Sequence, residues 1–193
     1  MRPRFNFFGI VLLFFVPFDI FSSDIEVPMR NQIPILQRLL STENNLKKNK
    51  REIVAGVVYQ GNIRASNQTK NEIFSVARSE RLKIGEATLR FVPINIDTIQ
   101  GSVYDALDDG EKYHLLIITQ VRPANYKYIS RYSAQRSVLT FATCADVMQR
   151  NKFSIAIGYK ANSPQLYVNF HSLQAEGFAF PSQVLRHAKK LSE

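Results

Sequence analysis

Cysteine is nearly absent from this sequence: Cys144 stands alone among 193 residues. An internal disulfide is thereby excluded, and the fold must be held by its core alone, as a domain of this size can be. Histidine is scarce as well. His114, His171 and His187 are scattered, and no two have the spacing of metal ligands. A glycine-rich phosphate loop is missing, since "VVYQGNIRASN", which follows the first expected strand, holds a single glycine. No carboxylate pair stands out, because Asp105, Asp108, Asp109 and Glu111 in "DALDDGE" read most simply as a solvated helix end. On this reading the chain has no catalytic, cofactor-binding or metal-binding residues and is not an enzyme.

A bilayer-length apolar run is lacking too. The run from Phe7 to Phe18 is interrupted by Gly9 and Pro17 and is short of the roughly 20 apolar residues of a span. With Arg2 and Arg4 before it and Ser22 and Ser23 after it, residues 1–23 have the layout of a secretory signal peptide cut near those serines. The competing reading is an uncleaved N-terminal anchor. No cysteine follows the run, which excludes a lipoprotein. The expected product is a periplasmic protein with one domain, residues 24–193.

What the chain does have is positive charge, a formal net +9. The basic residues are scattered except in "KKNKR" (Lys47, Lys48, Lys50, Arg51), and no nucleic-acid motif accompanies them. For an exported protein, an anionic membrane surface or an acidic protein face is the matching partner, against the plainer reading of a solvated basic loop.

The hydrophobic pattern alternates between two periods. "NQIPILQRLLSTENN" repeats Ile33, Leu36, Leu39 and Leu40 at helical spacing, and "IVAGVVY" is a continuous β-branched run typical of a strand buried on both faces. "NQTKNEIFSVARSER" reads as a helix capped by Ser66 or Asn67 and burying Ile73, Phe74 and Ala77. "ATLRFVPI" reads as a strand. "DTIQGSVYDALDDG" reads as a helix with Asp97 at its cap, Ile99, Val103, Ala106 and Leu107 on one face, and Gly110 at its end. "YHLLIIT" and "SVLTFA" are further strands; "RPANYKYISRYSAQ", with Pro123 in its first turn, and "TCADVMQRN" are further helices. In "FSIAIGYK" and "LYVNF" the rhythm changes, because "ANSPQ" between them is long enough only for an antiparallel hairpin. The predicted fold is α/β, a three-layer sandwich with a mainly parallel, mixed sheet in a flavodoxin-like or Rossmann-like layout. "HSLQAEG" and "PSQVLRHAKKL" are expected to close it as helices, the second burying Val184, Leu185, Ala188 and Leu191.

Cys144 falls near a helix start, where a thiolate would be favoured. At helical spacing it shares a stripe with Val147 and Met148, and a buried cysteine behaves as a small hydrophobe. The expectation is packing rather than nucleophilic chemistry.

From Ser137 onward the order of elements resembles the YfiR-like family of bacterial periplasmic proteins. The resemblance rests on a strand ending at Val138 to Thr140, a helix, a hairpin, a strand at Val168 to Phe170, a helix end at Ala175 to Gly177 and a final helix over Ser182 to Ala188. "VPMRNQIPILQRLL" and "IVAGVVYQ" are similar to that family's first helix and strand, so the likeness spans the mature chain. It implies a soluble periplasmic α/β domain without catalytic residues or cofactors. It also implies an interaction protein that restrains an inner-membrane sensor such as a diguanylate cyclase, the enzyme of cyclic-di-GMP synthesis. Two departures qualify the likeness: disulfides of the family cannot form here, and Val184 replaces a leucine. The alternative is a small-solute-binding periplasmic protein resembling one lobe of a transporter substrate-binding protein, for which a homodimer would supply the missing second wall. For either function the rim beyond the carboxyl ends of the parallel strands is the expected ligand or partner site: Tyr59, Gln60, Asn62, Thr119, Gln120 and Thr143.

Overall fold

The computed structural model describes residues 27–43, 46, 51–97, 102–161 and 163–191. The expected signal peptide lies outside them, as do Lys47, Lys48 and Lys50 of the basic cluster.

The first strand, β1 (Glu52–Tyr59), is buried from Ile53 to Val58. Its run is continuously apolar because helices cover both faces. Parallel partners flank it: β3 (Ala87–Asn95) on one side and β4 (Leu115–Ile118) on the other. Beyond β4 follow β5 (Leu139–Ala142) and β6 (Ile155–Lys160), both parallel, then β7 (Ser163–Asn169), antiparallel to β6. Two short strands complete the edges, β2 (Lys83–Ile84) beside β3 and β8 (Lys189–Leu191) beside β7, in the order β2-β3-β1-β4-β5-β6-β7-β8.

Two cores result, one on each face. Ile53, Val57, Leu115, Ile117, Leu139 and Phe141 meet Leu36 and Leu40 of α1 (Met29–Thr42) and Ile73 of α2 (Arg64–Ser79). Their neighbours in the strands, Val54, Val58, Leu116 and Ile118, point the other way. There they meet α3 (Val103–Leu107), α4 (Pro123–Arg136) and α5 (Ala145–Asn151), which supply Leu107, Ile129 and Met148. The predicted three-layer α/β sandwich with a mostly parallel, mixed sheet is therefore the observed fold. Gly56 sits where β1 is most crowded: a Cβ there would lie 2.6 Å from Ile94 Cδ1 and 2.9 Å from Tyr113 Cδ1.

Several local expectations are corrected. α2 begins at Arg64, ahead of the expected caps, and Ile63 stands at its N-cap. Ser66 is inside the first turn because its hydroxyl is held by Gln60 and Thr119. Of the residues expected to be buried there, Ile73 is fully so, while Phe74 and Ala77 are partly so. The short strand β2 was not expected; it pairs with β3 across a turn in which Gly85 has φ +60°.

Residues 98–101, with Ile99, lie outside the described part, and α3 runs only from Val103 to Leu107. Ser102 and Asp105 form its capping box, so Asp97 is not the cap. Asp97 follows β3 directly and its carboxylate is engaged by Gln60 and Asn62.

The end of the chain differs most. α6 (Phe170–Ala175) forms as read, but α7 is a single turn (Ser182–Leu185), and residues 189–191 become strand β8. The edge of β7 offers unpaired backbone groups, and pairing with them outweighs the helical spacing of the apolar residues. Val184, Leu185 and Ala188 pack partly against one core while Leu191 packs against the other, so no single buried stripe exists. Lys189 and Lys190 do not end a helix; they stack over Tyr167 and Phe170 with ammonium-to-centroid distances of 5.3 Å.

Candidate functional site

From β1 the chain passes through α2 to β3 on one side, then through α3 to β4 on the other. The order therefore reverses between β1 and β4, and in open α/β sheets a ligand crevice lies beyond the carboxyl ends of the strands at such a reversal. The six rim residues do gather at the carboxyl ends of β1, β4 and β5, but they bond mainly to the protein itself. Thr119 Oγ1 donates to Val58 O at 2.9 Å, and the Ser66 hydroxyl lies 2.6 Å from Thr119 Oγ1 while accepting the Gln60 N–H at 2.8 Å. The Gln60 side chain donates to Asp97 Oδ1 at 2.9 Å and accepts the Arg122 N–H at 2.6 Å. Asp97 Oδ2 takes the Asn62 N–H at 2.8 Å. Thr143 Oγ1 donates to Ile118 O at 3.2 Å, and Thr143 O accepts from Gln32 of α1 at 3.0 Å.

Gln60, Ser66, Thr119 and Thr143 are buried, Tyr59 and Gln120 are half-buried, and Asn62 is exposed. The β1/β4 crevice is thus filled by a hydrogen-bonded polar network, at whose α1 end Gln32 Oε1 is buried without a partner among the described residues, and a ligand between β1 and β4 would have to displace bonds already made. Tyr59 has its ring covered by Lys70, 4.8 Å from the centroid.

Open volume lies one strand further along the same rim. A groove of about 480 Å³ is bounded by Gln120, Val121, Pro123 and Tyr126 on the β4–α4 side and by Asp146, Val147, Arg150 and Asn151 on α5. Pro123 and the buried Val121 and Tyr126 make an apolar floor; the Tyr126 hydroxyl accepts the Val121 N–H at 3.1 Å and its ring packs edge-on against Phe153. Burial raises the phenol's pKa, so the floor stays uncharged. Above it Asp146 and Arg150 stand one helical turn apart, 3.6 Å between Oδ2 and Nη2, with both side chains more than half exposed. Of the six rim residues only Gln120 reaches this groove. Asp146, Arg150 and Asn151 escaped sequence reading, although an opposite-charge pair four residues apart, just after a buried strand, was the available signal.

A second groove of about 510 Å³ lies at the opposite, amino end of the sheet. Arg136 pairs with Asp108 at 2.9 Å and Glu111 with Arg90 at 3.0 Å, Lys112 is exposed on the groove's wall, and His114 Nδ1 accepts the Val54 N–H. Cys144 is half-buried rather than on the core stripe. It occupies the extended N-cap position of α5, just outside the helical turn that buries Met148. Among the described residues no group of three or more metal-ligating side chains comes together, and no helix is long and apolar enough to cross a membrane.

No family model matches the sequence. No curated protein matches it either. Solved structures do share its fold. A conserved domain protein from Vibrio cholerae superposes with a TM-score of 0.60 at 12% identity over 84% of this chain. The ABC domain of a Streptococcus pneumonia protein in complex with L-Trp superposes with a TM-score of 0.56 at 11% identity, again over 84% of this chain. The chain spans 60% of the length of each of those structures. At such identities the likeness is one of fold, and it places this chain among α/β domains of the same architecture.

Proposed function

We propose that this chain is a non-enzymatic recognition domain that takes a small zwitterionic solute with an apolar side chain in the groove between α4 and α5. The observation that carries the reading is the pair Asp146 and Arg150, of opposite charge and both accessible, above the apolar floor of Val121, Pro123, Tyr126 and Val147 at the carboxyl end of the sheet. A carboxylate matches an ammonium and a guanidinium matches a carboxylate, so the two charges suit the two ends of an amino acid. The groove has the size of a small-molecule site. The neighbour of like fold in complex with L-Trp supports the same class of ligand. Export through residues 1–23 to the periplasm belongs to this proposal.

The test is calorimetric titration of the protein with L-tryptophan, L-phenylalanine and L-leucine, against their amides and N-acetyl derivatives. Binding of the free amino acids, lost for both derivatives and weakened tenfold or more in Arg150→Ala and Asp146→Ala, is expected, because a hydrogen bond to a charged group contributes about 1.5–3 kcal/mol. Absence of binding across the panel refutes it. A second reading is a YfiR-like restraint on a membrane sensor, without a small ligand. It is favoured by the closed β1/β4 crevice and by the lack, among the described residues, of a second wall over the open groove. For that reading, deletion of the gene changes the output of a membrane signalling protein while solute uptake is intact.

A further inference from the structure

Glu176 ends α6 and is 2% exposed. Its carboxyl group fills the gap between the amino ends of β5 and β6, whose ladder begins only at the Phe141–Ile155 pair. Oε2 accepts the Thr140 N–H at 2.9 Å and the Ser154 hydroxyl at 2.5 Å; Oε1 meets the Thr140 hydroxyl at 2.6 Å and the Ser133 hydroxyl at 3.0 Å. The Ser154 N–H in turn donates to Thr140 Oγ1 at 2.8 Å. One side chain thus replaces a missing ladder step and ties α4, β5, β6 and the end of α6 together.

The hydrogens of this cluster allow two states. Ser133 Oγ also lies 2.9 Å from Ser130 O. When the carboxyl is protonated, its O–H donates to Ser133 Oγ, and the serine's hydrogen turns to Ser130 O; the other three bonds are unchanged. When it is ionised, all four donors point at it, yet none of them carries a charge. The titratable groups on the surrounding elements are Tyr126, Lys127, Tyr128, Arg131, Tyr132 and Arg136 on α4, Lys152 ahead of β6, Tyr159 and Lys160 on β6 and His171 on α6. Arg136 is engaged by Asp108.

We propose that Glu176 is a proton-binding latch: protonated, it seats the α6 turn in the gap between β5 and β6, and deprotonated, it loosens that junction, so the hold of the C-terminal segment on the parallel core follows the pH outside. Burial is the dominant influence on the carboxyl and lifts its pKa to about 7, against the opposing pull of the Ser154, Thr140 and Ser133 hydrogen bonds. A carboxyl raised in the folded state contributes stability that is complete below its unfolded pKa and is lost as pH rises through the folded one.

The experiment compares denaturant unfolding of the wild type and Glu176→Gln between pH 5 and pH 8. The two proteins differ at this one carboxyl, so the difference between the two curves reports Glu176. The wild-type folding constant should fall by roughly 50-fold more than that of Glu176→Gln, with the loss centred between the unfolded and folded pKa values. Parallel curves overturn the proposal. Should the variant fail to fold, carbon-13 NMR of glutamate-labelled wild type reads the carboxyl directly. One buried glutamate titrating near neutrality supports the latch, and titration of every glutamate in the ordinary carboxylate range contradicts it.

Discussion

Thr119 and Ser66 are small polar residues with no apolar periodicity to mark them, yet they close the crevice that the topology opens. Thr119→Val keeps the shape and removes the donor to Val58 O and the partner of Ser66. The expected cost is about 1–3 kcal/mol, read by denaturant unfolding, since buried partners are left unpaired. Solute binding in the α4–α5 groove should be unchanged by it. Gly56→Ala should cost a similar 1–3 kcal/mol, because a methyl group would meet Ile94 and Tyr113 well inside van der Waals contact. Cys144 behaves in the opposite sense. It holds an N-cap position without capping, and serine is a favoured residue there, so Cys144→Ser should raise stability by roughly 0.5–1 kcal/mol. A loss of binding in that variant would instead give the thiol a role.

At the scale of elements, the sequence is most legible where burial is two-sided. "IVAGVVY" and "YHLLIIT" announce central strands because helices cover both faces of their apolar runs, Ile53 to Val58 and Leu115 to Ile118, and α1 shows its stripe because its other face meets solvent. Legibility fails where a local signal competes with a distant partner. Asp97 has the residue type of a cap, but its carboxylate accepts the Asn62 N–H of the β1–α2 loop instead of capping α3. Residues 182–191 have helical spacing, but the open edge of β7 captures the last three as a strand. The rim residues were found from strand order alone. That their polar groups are already taken could not be read, because the partners, among them Gln32, Ser66, Asp97 and Arg122, are scattered along the chain. Glu176 was invisible for the same reason, since its donors stand 22 to 43 residues away. Truncation after Phe180 should therefore leave the protein folded, because the described residues beyond it are at most half-buried. It should also bare the edge of β7 and promote association, visible as light scattering that rises with concentration.

Taken as a whole, the molecule joins a parallel, doubly covered core to a C-terminal hairpin and a short added strand, with a buried carboxyl at the junction and an open, charged groove at the far end of the sheet. Basic residues remain on its outer faces, so any contact with an acidic partner or an anionic membrane should weaken as salt is raised, exposed charges being screened beyond about 8 Å at physiological ionic strength. The central claim is that recognition occurs between α4 and α5 and not in the sealed crevice between β1 and β4. Amide chemical-shift mapping during titration with L-tryptophan tests it most directly. The account predicts shifts gathered on residues 120–126 and 146–151 with Gln60, Ser66 and Thr119 unmoved; shifts centred on Gln60, Ser66 and Thr119, or none at all, would contradict it.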